Sequence, residues 1–226
     1  MNRGRAPTLW KQSFPFSCGP AALGSVLVSL GWRPSGDPTR EEVEMWREST
    51  AVACPGAHPF GLALAARRRG FGCGAVVSGP RPWLWSHIRS GHAIAQRREY
   101  AAIERRLESQ CGDHAVAIRG STPANRAAGP GLLLVSAREE PGAQPDPHWV
   151  GILPAPDGLW ILDPLRSSAY RSHRPFSEWW ARSGFEGTRT WIAIRPPPSH
   201  RRMGRSRQPR GASARAPAHR ASRGGQ

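Results

Sequence analysis

The sequence predicts an α+β fold, in which an N-terminal helical part packs on a mostly antiparallel sheet. Apolar and small residues at helical spacing dominate the region 19–69, whereas short apolar runs bounded by Gly, Pro or Asp begin at residue 131. Helices followed by strands are typical of α+β domains. With 226 residues, the chain is long enough to bury one sizeable core.

The helices are predicted from spacing and from their end signals. Pro20 falls in the first turn of the first helix, where proline is tolerated. The second helix is predicted to have a capped start at Thr39, with Glu41 and Glu42 in its first turn. The third ends at Gly70 after a run of arginines, which suit the C-terminal end of a helix. The predicted helices span residues 19–30, 39–47, 60–69 and parts of 81–112.

Four short apolar runs predict the strands of the sheet. The segment Pro154-Ala-Pro-Asp-Gly158 is rich in turn residues and joins two of these strands as a hairpin. A turn centred near Pro156 would place His148 directly opposite Asp163. The predicted strands are residues 131–135, 149–153, 159–162 and 191–194.

The composition changes after residue 195. Residues 1–195 are predicted to form one domain, and residues 196–226 a disordered basic tail, with eight arginines between Arg201 and Arg223 and no acidic residue. The formal charge of the chain is +16, and nearly all of its positive charge is arginine. Arginine favours carboxylates and phosphates, so the tail predicts weak nonspecific binding of nucleic acid. No base-reading motif accompanies it.

Membrane insertion, export and metal binding are not predicted. The longest apolar stretch, residues 21–32, is interrupted by Gly24 and Ser29 and is far shorter than the ~20 residues that cross a bilayer. No secretory signal precedes it. We therefore expect a soluble protein of the reducing cytoplasm, without a metal or cofactor. The residues weighed for a metal site, whose spacing matches no common zinc pattern, are Cys54, His58, His87 and His92. The other cysteines, which form no Cys-x-x-Cys pair, are Cys18, Cys73 and Cys111.

The stretch QSFPFSCGP places Cys18 at the start of the first helix. Unpaired backbone N–H groups and the positive end of the helix dipole would face its sulfur, which favours a thiolate nucleophile. The oxyanion formed by attack on a carbonyl has two candidate donors, the backbone N–H of Cys18 and the side-chain amide of Gln12. This requires that the five-residue loop between them folds back.

His148 and Asp163 are the candidates for the base and its orienting acid. If they face each other in the hairpin, their Cβ atoms would lie ~5 Å apart, so that the carboxylate can fix the imidazole tautomer. Asp146 is a weaker candidate because it precedes Pro147, in the loop before the strand. Taken alone, Cys18 would be a buried apolar residue and the other two a strand end and a turn. Their combination predicts a catalytic set.

The motif of Gln12, Cys18-Gly-Pro-Ala-Ala, a later His148-Trp-Val and Asp163-Pro resembles the papain-like cysteine peptidases of the bacteriocin-processing type, cysteine peptidase family thirty-nine. The stand-alone bacterial branch is the more similar, since the segments 44–50 and 57–71 also resemble it. The resemblance covers roughly residues 8–195 and is weak over 78–130. It implies a papain-like fold in which Cys18 is the nucleophile, Gln12 lies in the oxyanion hole, His148 is general base and acid, and Asp163 orients it.

The sequence therefore predicts a cysteine peptidase that hydrolyses an amide bond of a peptide or protein through an acyl-enzyme. The residues do not decide whether water or an amine accepts the acyl group. The alternative is an inactive peptidase-like domain that binds peptides, or that binds nucleic acid through its tail.

Overall fold

The fold was obtained as a computed structural model, which describes residues 6–50, 56–78, 93–111, 115–116, 129–136, 146–183 and 189–197. Within these ranges the chain forms helices and a largely antiparallel sheet, which confirms the predicted α+β class. The helices are α1 (Cys18–Ser29), α2 (Pro38–Ser49), α3 (Pro59–Arg68), α4 (Ala93–Cys111) and α5 (Phe176–Arg182). The strands are β1 (Gly72–Ser78), β2 (Ala115–Val116), β3 (Gly131–Ser136), β4 (Pro147–Ala155), β5 (Gly158–Leu162), β6 (Tyr170–Ser172) and β7 (Arg189–Arg195).

Helix α1 is the buried centre of the helical part and packs against β3, β4 and β5. The segment before it is fastened to its side. The backbone N–H of Trp10 donates to Ser25 Oγ at 2.8 Å. The Trp10 ring covers Gly24 so closely that a Cβ there would lie 2.4 Å from Trp10 Cε3. Because a helix that is apolar on all sides must be covered on all sides, the chain returns over α1 before α1 begins.

Helix α2 begins at Pro38, one residue before its predicted start, and its cap lies two residues before the predicted one. Asp37 caps it, since its carboxylate accepts a hydrogen bond from the Arg40 N–H at 3.1 Å, and Pro38 occupies the first helical position. The predicted cap at Thr39 was wrong. An aspartate followed by a proline is the stronger start signal, because proline has no N–H to leave unpaired in the first turn. The helix also continues to Ser49, past its predicted end.

Helix α3 begins after His58, whose Nδ1 accepts a hydrogen bond from the Phe60 N–H at 3.3 Å. The chain leaves the helix through Gly70, which has a φ of +83°. The Gly70 N–H donates to the Arg67 carbonyl at 2.9 Å. The glycine-based prediction of this helix end is thus confirmed.

The seven strands form one sheet in the order β2-β1-β7-β3-β4-β5-β6. All neighbours pair antiparallel except β1 and β2, which are parallel. The four predicted strands are present as β3, β4, β5 and β7. Strand β7 comes last in the chain but lies between β1 and β3, so that residues far apart in sequence meet at the middle of the sheet.

Both faces of the sheet are covered. Leu132 and Leu134 of β3 belong to the larger apolar cluster, which includes the buried residues of α1 and α3. Leu133, between them, belongs to a second cluster with Phe176 and Trp180 of α5. Because side chains alternate along a strand, this division places the two clusters on opposite faces.

Several predictions fall outside the described residues. These are the part of the fourth helical region at 81–92 and almost all of the tail. The division into a domain of residues 1–195 and a tail of residues 196–226 therefore stays a prediction, as does nucleic-acid binding by the tail. Among the described helices, none combines the length and the apolar character needed to cross a membrane.

Candidate active site

Cys18 is the first residue of α1 and is 9% exposed. The first N–H groups of an α-helix have no carbonyl partner within the helix, and they carry the positive end of its dipole. The chain approaches this point through Ser17, whose backbone N–H donates to the Phe14 carbonyl at 3.2 Å. The sulfur is thus fixed at a helix start by a tight turn, as the sequence predicts.

His148 and Asp163 are brought into direct contact, although not through the predicted register. Strands β4 and β5 pair so that Gly151 faces Leu162, the last residue of β5. The same register continued by one residue would put Asp163 opposite Val150. The expectation that His148 lies directly opposite Asp163 was wrong by two residues, because the hairpin turn is centred one residue later than predicted. A shift of two residues keeps a side chain on the same face of the sheet. As diagonal neighbours, His148 Nε2 and Asp163 Oδ1 are 2.8 Å apart.

The charges of this pair depend on each other. Burial disfavours the charged imidazole, but hydrogen bonding to Asp163 and to Cys18, and the charges of both, raise the pKa of His148 to about 9. Burial also opposes ionisation of Asp163. Hydrogen bonds from His148, the Leu165 N–H and Arg166 outweigh it and hold the pKa of this carboxyl below its usual value. At neutral pH the site therefore contains an imidazolium next to a carboxylate.

The loop from Gln12 to Cys18 folds back on itself. The Gln12 side-chain Nε2 donates to the Phe14 carbonyl at 3.1 Å, which leaves its second N–H for another acceptor. The Gln12 backbone N–H donates to the Pro164 carbonyl at 3.2 Å. Since Pro164 follows Asp163, this bond connects the loop to the end of the His–Asp pair. The loop therefore turns near Phe14, and the role of the Gln12 amide in an oxyanion hole stays a prediction.

Close packing holds α1 against β4. A Cβ on Gly19 would lie 2.7 Å from Ala57 Cβ and 3.1 Å from Trp149 Cδ1. The Trp149 Nε1 in turn donates to the Ala57 carbonyl at 3.2 Å. Gly19 follows Cys18 and Trp149 follows His148, so this contact joins the backbone neighbours of the two side chains. Only glycine allows the two elements to approach so closely.

Two residues contribute to this region although neither was predicted from the sequence as part of it. Arg166, three residues after Asp163, places its Nε 3.3 Å from Asp163 Oδ2. Glu42 was assigned only to a helix first turn, yet its carboxylate accepts hydrogen bonds from Ser13 and Ser17. The two serines within QSFPFSC were the available signal, because small hydroxyl residues in a tight loop commonly bind a nearby acceptor.

The described residues give no support to a metal site. No group of three or more His, Cys, Asp or Glu side chains suited to a metal occurs in the described part of the chain. Cys54, His87 and His92 lie outside it. His58 is fully buried, and its Nε2 lies 3.6 Å from Glu104 Oε2. Its position as the cap of α3 gives it a structural role.

Comparison with known proteins gives a family and a similar structure. No curated protein sequence matches the chain. A double glycine motif protease from an AMS/PCAT transporter, crystallised with the leader peptide, is similar with a TM-score of 0.41 and 16% sequence identity. That similarity covers 87% of this chain and 96% of the other. The family described as "Peptidase_C39 like family" matches residues 7–173. The chain therefore belongs to this peptidase-like family, as the motifs around Cys18 and His148 predicted.

Proposed function

We propose that this protein is a cysteine peptidase, with Cys18 as nucleophile and His148 as its acid and base. The proposal rests above all on one observation: His148 Nε2 lies 2.8 Å from Asp163 Oδ1, and Cys18 is, with Asp163, one of the groups that raise the pKa of this histidine. Asp163 fixes the ring and stabilises its charge, which leaves Nδ1 for the sulfur. Membership of a peptidase-like family agrees with this assignment.

Acylation starts from a thiolate and an imidazolium. Because the pKa of His148 is about 9, the ring holds a proton at neutral pH and can balance a negative sulfur. The thiolate attacks the carbonyl carbon, and the oxygen gains a negative charge. The Cys18 backbone N–H and the free N–H of the Gln12 amide are the proposed donors to this oxygen. His148 then donates its proton to the leaving amine, and the carbonyl re-forms as a thioester.

Deacylation reverses the role of the histidine. The neutral imidazole takes a proton from water as the oxygen of that water attacks the thioester carbon. Collapse of the second tetrahedral intermediate expels the thiolate and releases the carboxylic acid. His148 is protonated again, so the ion pair with Cys18 is restored. Asp163 keeps its charge throughout and stays hydrogen-bonded to the ring.

Apolar side chains near the site suit a peptide substrate. Phe16 is 38% exposed and lies two residues before Cys18, whereas Leu165 is 57% exposed and lies two residues after Asp163. Phe16 also contacts Phe14 and Trp46, with ring centroids 5.6 and 4.8 Å apart. Phe16 and Leu165 are the two large apolar side chains that are exposed in the described part of the chain, and each lies two residues from a proposed catalytic residue. We expect the peptide to present apolar side chains close to the bond that is cleaved.

The central test is alkylation of Cys18 by iodoacetamide as a function of pH, read by mass spectrometry. We expect fast labelling of the wild type below about pH 7, and markedly slower labelling of His148→Ala at the same pH, because the thiolate loses its counter-charge. His173→Ala is the matched control, since His173 is exposed and bonds only to the Asp157 carbonyl among the described residues. Equal rates in all three proteins at every pH would leave a peptidase-like domain without a catalytic centre.

A cleavage profile on a peptide library tests the reaction itself. Wild-type protein should release products with new carboxyl termini, and Cys18→Ala should release none. A profile enriched in apolar residues beside the cleaved bond would support the role of Phe16 and Leu165. If labelling shows an activated Cys18 but no peptide is cleaved, an acyl acceptor other than water becomes the next candidate.

A further inference from the structure

We propose that Glu42 is a positioning residue, which holds the Gln12 amide and the Cys18 sulfur at a fixed separation. The inference rests on the proposed function, because it concerns the oxyanion donors of that reaction. Glu42 lies on α2 and touches neither reacting group. It acts through Ser13 and Ser17, the direct neighbours of Gln12 and Cys18 in the chain.

Three hydrogen bonds carry this inference. Glu42 Oε1 accepts from the Ser13 backbone N–H at 2.8 Å and also from the Ser17 hydroxyl. Glu42 Oε2 accepts from the Ser13 hydroxyl at 2.8 Å. The Ser17 Oγ additionally accepts from the Phe14 N–H at 3.1 Å, inside the loop. One carboxylate thus binds both ends of the segment that connects the proposed oxyanion donor with the proposed nucleophile.

The surroundings of Glu42 distinguish it from an ordinary helix residue. It is 1% exposed. Among the described residues, no lysine or arginine pairs with it, whereas the adjacent Glu41 lies 3.5 Å from Arg69 Nη2. A buried carboxylate is costly unless strong donors surround it. The donors here are all on the Gln12–Cys18 loop, so the position of the loop and the charge of Glu42 depend on each other.

The side-chain amide of Gln12 has little other support. Its Nε2 donates to the Phe14 carbonyl, and its buried Oε1 accepts no hydrogen bond from the described residues. The Gln12 backbone is held on one side by Pro164 and on the other through Ser13 by Glu42. Loss of the Ser13 contacts would therefore let the amide move relative to the sulfur. A displacement of about 1 Å can cost as much as ~100-fold in rate.

The experiment measures how well a set of tripeptide aldehydes protects Cys18 from iodoacetamide. The thiolate adds to the aldehyde carbon, and the carbonyl oxygen becomes an oxyanion or, with one proton, a hydroxyl. This adduct needs the oxyanion donors, whereas alkylation does not. For Glu42→Gln, which loses one acceptor, we expect about 10- to 100-fold weaker protection. The alkylation rate without aldehyde should stay within about threefold of wild type.

Two further variants keep the test sharp. Glu41→Gln is the matched control, because this carboxylate binds Ser35 and Arg69 and not the loop. We expect the aldehydes to protect Cys18 in this variant as well as they do in the wild type. Ser13→Ala removes one of the three donors to Glu42. This variant replaces Glu42→Gln in the test if thermal unfolding shows that Glu42→Gln is not folded. We expect about three- to tenfold weaker protection for it, as befits the loss of a single contact.

A double-mutant cycle with Gln12→Ala separates positioning from general stability. If Glu42 acts through the Gln12 amide, Glu42→Gln should weaken protection by less than about threefold once Gln12 is alanine. The same loss in both backgrounds would overturn the inference and leave the proposed function intact. Equal protection of wild type and Glu42→Gln would do so too. A wild type that no aldehyde protects would contradict the proposed function, and the inference with it.

Discussion

Two kinds of buried cysteine lie in the described part of this molecule, and they differ in their position in the secondary structure and in the groups around the sulfur. Cys73 Sγ donates to the Ala63 carbonyl at 3.0 Å, and Cys111 Sγ donates to the Phe60 carbonyl at 3.4 Å. Burial raises the pKa of Cys73 to about 11 and that of Cys111 to about 12, although Arg67 opposes the shift at both. Cys18 is also buried, but it is one of the groups that raise the pKa of His148.

Helix position adds to the contrast. Cys18 is the first residue of α1, at the positive end of a dipole, whereas Cys111 is the last residue of α4, at the negative end. A carbonyl acceptor stabilises the S–H form of a thiol, and an imidazole with a carboxylate behind it can take the proton. Burial alone therefore makes a cysteine inert. The direction of the helix and the surroundings of the sulfur are therefore the reasons for which Cys18, and neither Cys73 nor Cys111, is the proposed nucleophile.

The largest effect is expected when the three cysteines are replaced by alanine one at a time. Cys18→Ala should lower peptide hydrolysis by about 10⁵-fold or more, since it removes the proposed nucleophile. Cys73→Ala and Cys111→Ala should leave kcat/KM within about twofold and lower the free energy of unfolding by about 1 kcal/mol. Hydrolysis assays and thermal unfolding measure the two effects. Residual hydrolysis by Cys18→Ala that is lost with Cys73→Ala would reverse the assignment.

A second variant tests whether hydrolysis depends on the position of the Cys18 sulfur relative to the His148 imidazole. Gly19→Ala introduces a Cβ 2.7 Å from Ala57 Cβ and 3.1 Å from Trp149 Cδ1, so α1 must move away from Ala57 and from β4. We expect kcat/KM to fall by roughly 100-fold and the free energy of unfolding by about 1–3 kcal/mol. Gly36→Ala is the matched control, because a Cβ there meets no atom within 4 Å. Similar losses in both variants would remove the special role of the Gly19 contact.

Much of the candidate site could be predicted from the sequence, because the features that indicate its residues are local. A cysteine at a helix start, a histidine opening a strand and an aspartate ending the next strand are each visible within a few residues. The two-residue error in register did not separate His148 from Asp163, since side chains alternate with a period of two along a strand. An error of one residue would have placed them on opposite faces.

The remaining features depend on contacts that no local pattern encodes. Glu42 meets Ser13 and Ser17 across separations of 29 and 25 residues. Strand β7 enters the sheet between β1 and β3, a position fixed by long-range pairing. Strand β1 escaped prediction because Gly72 and Gly74 weaken the strand signal, although its buried residues do alternate.

A smaller effect is expected when the charge behind the imidazole is removed. Asp163→Asn keeps a hydrogen-bond acceptor but loses the negative charge, so the pKa of His148 should fall from about 9. We expect kcat to decrease about tenfold and the alkaline limb of the pH–rate profile to move to lower pH. A pH–rate series on both proteins measures the shift. An unmoved alkaline limb would mean that His148 is not the group whose deprotonation ends activity.

The same pair predicts a pH dependence of stability with a definite sign. The pKa of His148 is raised from 6.5 to about 9 on folding, so its stabilising contribution is complete below pH 6.5 and is lost as the pH rises through 9. The melting temperature of the wild type should therefore fall between pH 6.5 and 9. The melting temperature of Asp163→Asn should fall less over the same pH range, and that of His148→Ala should not show this fall. A wild-type stability that rises between pH 6.5 and 9 would contradict the assigned ionisation.

The smallest expected effect concerns Arg166, the outermost charge of the site. Its Nε lies 3.3 Å from Asp163 Oδ2, but its side chain is 61% exposed, so solvent screens the interaction. Arg166→Ala should change kcat/KM by only about two- to threefold, with the loss shrinking as salt is added. Arg171→Ala is the matched control, because Arg171 pairs with Asp157 at the hairpin instead. A loss as large as that of Asp163→Asn would show that the carboxylate needs both partners, and that the charge environment of Cys18 extends to the surface.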